Sequence, residues 1–387
     1  MPEVPANFRR TRFAEVGGKM AKIFIVESDI NILNIMAVKG FGLKAVVILK
    51  DRNVKNDYGL QALGFYLKKM NCFVTYENFD PYRTEELINL SKRVDLEDVF
   101  IVPTNSSAYI FNLALLLKDV CRVAYVESDS DFFELVDGLF IPMNTDAFDL
   151  NIDDYIEQYG GKVLNSNTEV FDNPVADKLL EIILSNTALY DNLLTPVPIY
   201  TDVANKHLVH LKREMINPAE GRLLDTLLDV MIQNGICAYH NKMNKESVEF
   251  YNLDFKEFIS KDGTWLEMVT YKAIKSLTKV SDVGASVSFQ WRMNRWLTKN
   301  EVDVMAVHDH KLIMVSCKNT HSHNEQSLYE LYTHSERLDE NQAIKILVTT
   351  GQPIEAFYQR AQDLKIHIVI FNGNMDKFEK LLGAIIG

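Results

Sequence analysis

The sequence lacks any run of eighteen apolar residues, so nothing in it reads as a membrane-spanning helix. Its first twenty residues carry Arg9, Arg10, Arg12 and Lys19 with no continuous apolar stretch, which argues against a secretory leader. Met20, just ahead of the first apolar run, is a second candidate start. Cysteine is scarce: Cys72, Cys121, Cys237 and Cys317 stand far apart, and no CxxC pair suggests a zinc or redox centre. Reduced thiols in a cytoplasmic protein are expected. No GxGxxG occurs, so a dinucleotide redox cofactor is not expected. Basic residues are missing altogether from Glu127 to Glu157, where ten acids accumulate.

What is present fits two or three domains. The 387 residues exceed one ordinary core, and 47% hydrophobic content can fill several. Apolar runs at 23–26, 45–49, 73–76, 99–102 and 123–126 alternate with helix-period stretches at 30–38, 58–70, 83–92 and 108–118. Strand and helix repeated at this spacing predict an α/β domain, a parallel sheet with helices on both faces. Ligands on such sheets sit beyond the carboxyl ends of the strands. Two loops there carry polar groups: Glu27, Ser28 and Asp29 after the first strand, and Thr104, Asn105, Ser106 and Ser107 after the fourth. The second opens a helix, where free N–H groups favour phosphate. The same residues also make a plain N-cap with no ligand.

The acidic stretch, then Asn165-Ser166-Asn167, reads as the end of the first domain and a linker. Helical segments at 175–185 and 220–232 and two short strands at 236–240 and 247–251 suggest a small winged-helix-like connector.

The C-terminal third holds the chemistry. Asp303 opens an apolar run, 304–307; His308-Asp309-His310 turns the chain, and 312–315 returns it to Ser316-Cys317-Lys318. That is a β-hairpin with an acid on one strand and a lysine on the next. Glu267 lies upstream in Gly263-Thr264-Trp265-Leu266-Glu267. Carboxylates hold hard divalent cations, and a lysine beside them orients water or neutralises charge developing on phosphate. The arrangement points to metal-dependent phosphodiester cleavage with Mg2+ or Mn2+. Strand alternation puts Cys317 on the face opposite Ser316 and Lys318, a packing position, and puts Glu301 on the face of Asp303, as a second ligand or a solvated edge residue. His308, His310, His321, His323 and His334 are expected to be solvated, since their spacing is not that of a zinc site.

Charge divides along the chain. Residues 1–260 hold 26 basic and 38 acidic side chains, whereas 261–387 balance at 15 and 15. From Lys272 to Lys318 eight bases face four acids, with Phe289, Trp291 and Trp296 interleaved. Phosphates attract such a segment and bases stack on exposed aromatics, so Arg292, Arg295 and Lys299 are candidate nucleic-acid contacts. The alternative is a strand pair with a solvated face and a buried tryptophan.

This order of elements, with Gly263–Glu267, Asn300-Glu301-Val302-Asp303 and Ser316-Cys317-Lys318, resembles the CARF-nuclease proteins. These join a CRISPR-associated Rossmann fold (CARF) sensor to a PD-(D/E)XK restriction-endonuclease-like domain. The resemblance implies a CARF domain at 20–150, linker and connector at 151–255, and a nuclease-like domain at 256–387. It implies a homodimeric type III CRISPR effector that binds a cyclic oligoadenylate, usually the tetra-adenylate, and then cuts DNA or RNA. By the same resemblance Glu267, Asp303, Ser316 and Lys318 are the catalytic set, and Glu267, Asp303 and the Cys317 carbonyl hold the metal. Two departures stand out. The family's Glu-x-Lys is Ser316-Cys317-Lys318 here, one negative charge short. The family's glycine-rich ligand loop is Pro103-Thr104-Asn105-Ser106-Ser107, with Cβ atoms where backbone would approach a phosphate. A sensor whose nuclease domain only binds nucleic acid or a partner is the alternative reading.

Overall fold

The computed structural model describes residues 20–26, 31–52, 58–80, 82–103, 108–126, 132–143, 149–194, 199–242, 245–291, 299–339 and 342–387. The chain divides into two compact units, Met1–Phe148 and Asp149–Gly387.

In the first unit, seven strands lie in the order Phe73–Phe79, Ala45–Asp51, Lys22–Val26, Val99–Pro103, Arg122–Val126, Phe132–Val136, Leu139–Pro142. The first five are parallel, as the alternation of runs predicts. Their near-continuous apolar character follows from burial on both faces: Ile23, Phe24 and Ile25 are all buried. Lys22–Val26 and Val99–Pro103 are neighbours although far apart in sequence, so the strand order reverses between them. Such a reversal is where open α/β sheets bind ligands. The expected contacts Glu27, Ser28, Asp29, Thr104, Asn105, Ser106 and Ser107 lie outside the described residues.

The acid-only stretch is not all linker. Phe132–Val136 and Leu139–Pro142 form a hairpin that extends the sheet antiparallel. Asp137 and Gly138 turn it with φ of +52° and +81°, the left-handed pair that a two-residue hairpin requires. Arg122 grips Glu134 with two hydrogen bonds, 2.7 and 3.2 Å, which neutralises one of the ten acids.

The second unit holds a six-stranded sheet ordered Ile366–Ile370, Ile344–Thr349, Lys311–Lys318, Lys299–His308, Val280–Trp291, Gly161–Asn165. The first three strands are parallel and the rest antiparallel. A four-stranded antiparallel sheet, Cys237–Lys242, Lys245–Phe250, Leu208–Leu211, Ile199–Thr201, accompanies the helices Pro174–Leu184, Thr187–Leu194 and Pro218–Gln233. This part was expected to be a connector. It shares one core with the larger sheet, running from Leu179, Leu224 and Phe250 to Trp265, Val304 and Ile346.

Asn165, assigned to a linker from its composition, instead ends a strand paired with Val280–Trp291. Gly161 opens that strand where a Cβ would stand 2.6 Å from the Ile156 carbonyl oxygen, so only glycine lets the backbone approach. Tyr155, fully buried, donates to the His310 carbonyl at 2.6 Å and ties the helix Ile152–Glu157 to the hairpin turn.

The hairpin itself forms as expected. Asp309 and His310 take φ of +47° and +63°, again the left-handed pair of a two-residue turn. Its ladder begins one pair beyond the apolar run, at His308 and Lys311, so His308 is buried rather than a solvated turn residue.

Candidate active site

The antiparallel ladder between Lys299–His308 and Lys311–Lys318 ends at Val304 and Val315. Asp303 and Ser316 come next. There the Asp303 carboxylate takes over from the backbone: its Oδ2 accepts the Cys317 N–H at 2.6 Å and the Ser316 hydroxyl at 3.3 Å. Lys318 places Nζ 3.6 Å from the same oxygen. A charge-assisted bond of this kind contributes about 1.5–3 kcal/mol. It replaces a lost rung of the sheet and fixes the aspartate at the cleft.

Cys317 points the other way, as alternation predicts. Its thiol is buried in the core, donates to the Thr270 hydroxyl at 3.5 Å, and is held protonated by burial and by the Asp303 charge. It is no nucleophile.

Glu267 sits in the first turn of the helix Thr264–Lys275, which Trp265, Leu266, Met268 and Val269 anchor in the core. The glutamate is buried with both oxygens engaged: Oε2 accepts from the Ser286 hydroxyl at 2.8 Å and Oε1 lies 3.1 Å from Lys261 Nζ. Burial and then the charge of Asp303 raise its pKa to about 7, against the opposing pull of Lys261 and the Ser286 hydrogen bond. Ser286 adopts φ +46° in mid-strand, between Ala285, paired with Val304, and Val287, paired with Val302. It therefore faces Asp303 across the ladder. A serine in this conformation is strained, as residues at functional sites often are.

Lys261 is the feature that sequence reasoning missed. Its Nζ lies within 3.1 Å of Glu267, 3.6 Å of Glu301 and 3.9 Å of Glu257. Burial works against its charge, but Glu267, Glu257 and Glu301 outweigh it and raise its pKa. Asn167 joins the cluster, donating to Glu257 at 3.0 Å and to Ser286 at 3.3 Å. The only sequence signal was an i, i+4 spacing of Glu257 and Lys261 on one helical turn.

Beside Asp303 opens a cleft of about 60 Å³, lined among others by Glu301, Asp303, Ser316, Lys318, Glu330 and His334. Glu267 does not line it. Apart from Lys318 and His334, the polar side chains here offer oxygen, a set that suits a hard divalent cation. Among the described residues no three His, Cys, Asp or Glu side chains converge on one metal position. Such sites commonly use one or two carboxylates and take the remaining ligands from substrate phosphate and water.

The expected nucleic-acid stretch is only partly exposed. Phe289 and Trp291 are buried and stack edge-on, with Arg337 over the indole at 4.0 Å, so neither ring is open to a base. Lys272, Lys275 and Lys279 pair with Asp177, Asp172 and Asp309. Lys299 is exposed at a strand end, and Arg292 and Arg295 lie outside the described residues.

Residues 257–382 match the family model described as the Card1-like endonuclease domain. No curated protein matches the chain. Among solved structures, protein VC1899 from Vibrio cholerae superposes with a TM-score of 0.68 at 17% identity, over 95% of this chain and 98% of that one. Can2 from Sulfobacillus thermosulfidooxidans, solved in complex with cyclic tetra-adenylate, gives 0.58 at 16%, over 95% and 97%. A type III CRISPR defence DNA nuclease activated by cyclic oligoadenylate gives 0.54 at 15%, over 94% of this chain. The chain spans about half of that nuclease, 52% of its length. Residues 257–382 are thus similar to a Card1-like endonuclease domain, in keeping with the resemblance read from the sequence, and the chain has the fold of these solved proteins.

Proposed function

We propose that the chain is a metal-dependent endonuclease of type III CRISPR antiviral defence, acting on DNA or RNA and switched on by a cyclic oligoadenylate. The observation that carries this reading is Asp303, locked by the Cys317 N–H beside Lys318 at an open cleft, within the Card1-like endonuclease domain. The activator assignment is supported by the shared fold with Can2, solved with cyclic tetra-adenylate, and by the reversal of strand order in the first unit. A two-fold homodimer suits a cyclic messenger of even repeat, because one isologous interface presents the same loop to both halves.

Asp303, with the Cys317 carbonyl, would hold Mg2+ or Mn2+, which supplies Lewis-acid polarisation of the phosphodiester and a more acidic water. Glu267, occupied by Lys261 and Ser286, offers no free oxygen to the cleft. Lys318 neutralises charge on the phosphate and orients the attacking water. Asp303 in turn fixes the backbone at Cys317 and so the register of Lys318.

One observation favours a second reading, a sensor that binds nucleic acid without cutting: Ser316 is neutral where the resembling proteins carry an acid. A nuclease assay with Mn2+, with and without cyclic tetra-adenylate, separates the two. Cleavage that appears only with the ring and metal together supports the proposal. Binding of nucleic acid with no cleavage in any metal supports the alternative. Titration calorimetry showing no binding of any cyclic oligoadenylate refutes the sensor assignment.

A further inference from the structure

The site is one acid short at Ser316. Glu257 and Glu267, both within 4 Å of Lys261, do not line the cleft, and Glu301, which does, has Lys261 3.6 Å away. The opposite wall of the cleft, however, is the helix Gln326–Asp339, which brings Ser327, Glu330 and His334 to face Asp303, Ser316 and Lys318. Resting on the proposed nuclease reading, we infer that Glu330 is the second metal-binding carboxylate of this site, taking the place that Ser316 leaves vacant.

Three features support the assignment. First, Glu330 is exposed and makes no ion pair among the described residues. Gln326, one turn earlier, donates to its Oε1 at 2.8 Å and steadies it without neutralising it. Second, His334, one turn later on the same face, turns its ring edge-on to Phe289, 6.1 Å between centroids, and forms no ion pair with Glu330 among the described residues. Third, Glu330 comes from a helix packed within the same unit as the hairpin, so its backbone is held while an exposed glutamate side chain is free to change rotamer. Asp303 and Glu330 together offer two carboxylates from opposite walls, the number a hard divalent cation commonly takes when substrate phosphate completes its shell. Their spacing from Lys318 explains why the sequence concealed the pair: the acid sits twelve residues past the lysine on another element.

The test is to move the carboxylate. Mn2+ binding to the metal-free full-length protein is measured by titration calorimetry and by loss of the free-ion EPR signal. Wild type is compared with Asp303→Asn, Glu301→Gln, Glu330→Gln and the double variant Ser316→Glu/Glu330→Gln. Glu330→Gln is expected to weaken binding at least about tenfold, since even outer groups of a metal site are worth that much. Glu301→Gln should weaken it less than Glu330→Gln does, since Lys261 already lies 3.6 Å from Glu301, and Ser316→Glu should recover what Glu330→Gln loses. Cleavage should follow the same order, and melting temperatures should not, because Glu330 is exposed. If Glu330→Gln binds Mn2+ as wild type does while Asp303→Asn does not, the inference about Glu330 is wrong and the nuclease reading stands. Failure of Ser316→Glu to recover the loss also overturns it. If wild type binds no Mn2+ and cuts nothing, the metal-dependent reading falls and takes this inference with it.

Discussion

Asp303 is expected to serve two purposes, and two substitutions separate them. Asp303→Asn keeps an acceptor for the Cys317 N–H but removes the charge; Asp303→Ala removes both. The alanine variant leaves the Cys317 N–H without its 2.6 Å partner at the point where the ladder has already ended. Losing a hydrogen bond to a charged group costs about 1.5–3 kcal/mol. With a urea slope near 3 kcal/mol/M for a unit of this size, the midpoint should fall by roughly 0.5–1 M. The asparagine variant should lose clearly less, since a neutral acceptor retains part of the bond. Activity should behave differently. Both variants should cut at least about a thousandfold more slowly, close to 4 kcal/mol of transition-state stabilisation, because a neutral side chain cannot hold the cation. The assay pairs urea denaturation of the metal-free protein with cleavage under saturating Mn2+ and activator. Cleavage by Asp303→Asn at the wild-type rate would remove Asp303 from the mechanism. Equal midpoints for the alanine variant and wild type would show that the Cys317 bond contributes nothing.

Glu267 gives a pH signature. Its pKa is raised in the folded chain, so its contribution to stability is fully present below the unfolded pKa and is lost as pH rises through about 7. Metal-free wild type should therefore lose stability between pH 5 and pH 8, and Glu267→Gln should flatten that slope; unchanged denaturation midpoints across this window in both proteins would refute the assignment. Tyr155→Phe should cost roughly 1 kcal/mol by removing the 2.6 Å bond to the His310 carbonyl, seen as a lower melting temperature with cleavage unaffected. Arg292→Ala with Arg295→Ala should weaken nucleic-acid binding and reduce the slope of log affinity against log salt by up to about 2, read by fluorescence anisotropy; an unchanged slope places the binding groove elsewhere.

How much was legible depended on the range of the signal. The parallel sheet of the first unit was readable because both its faces are buried, so each strand stands out as an apolar run between helix-period stretches. The hairpin was readable too, since Val304–Val307 and Leu312–Val315 bracket a short polar turn. Alternation put Cys317 on the face opposite Ser316 and Lys318, and the hairpin put Asp303 on the neighbouring strand. Composition misled where it stood in for contact. The acid-only stretch conceals a hairpin in which Arg122 pairs with Glu134, and the supposed linker contributes Gly161–Asn165 to the larger sheet. Phe289 and Trp291 looked available to nucleic acid, yet they pack inward.

By itself, then, the sequence determined the parallel strands and helices of the first unit and the two ends of the Asp303–Lys318 hairpin, because period and turn chemistry act over a few residues. Only the tertiary structure decided which acids have counter-ions. Lys261 draws Glu257, Glu267 and Glu301 together from a helical turn, a helix and a strand, while Glu330 faces Asp303 from a second helix. Coulomb attraction depends on distance through space, and beyond the i, i+4 pair Glu257–Lys261 no spacing along the chain encodes which acids will lie within 4 Å of that lysine.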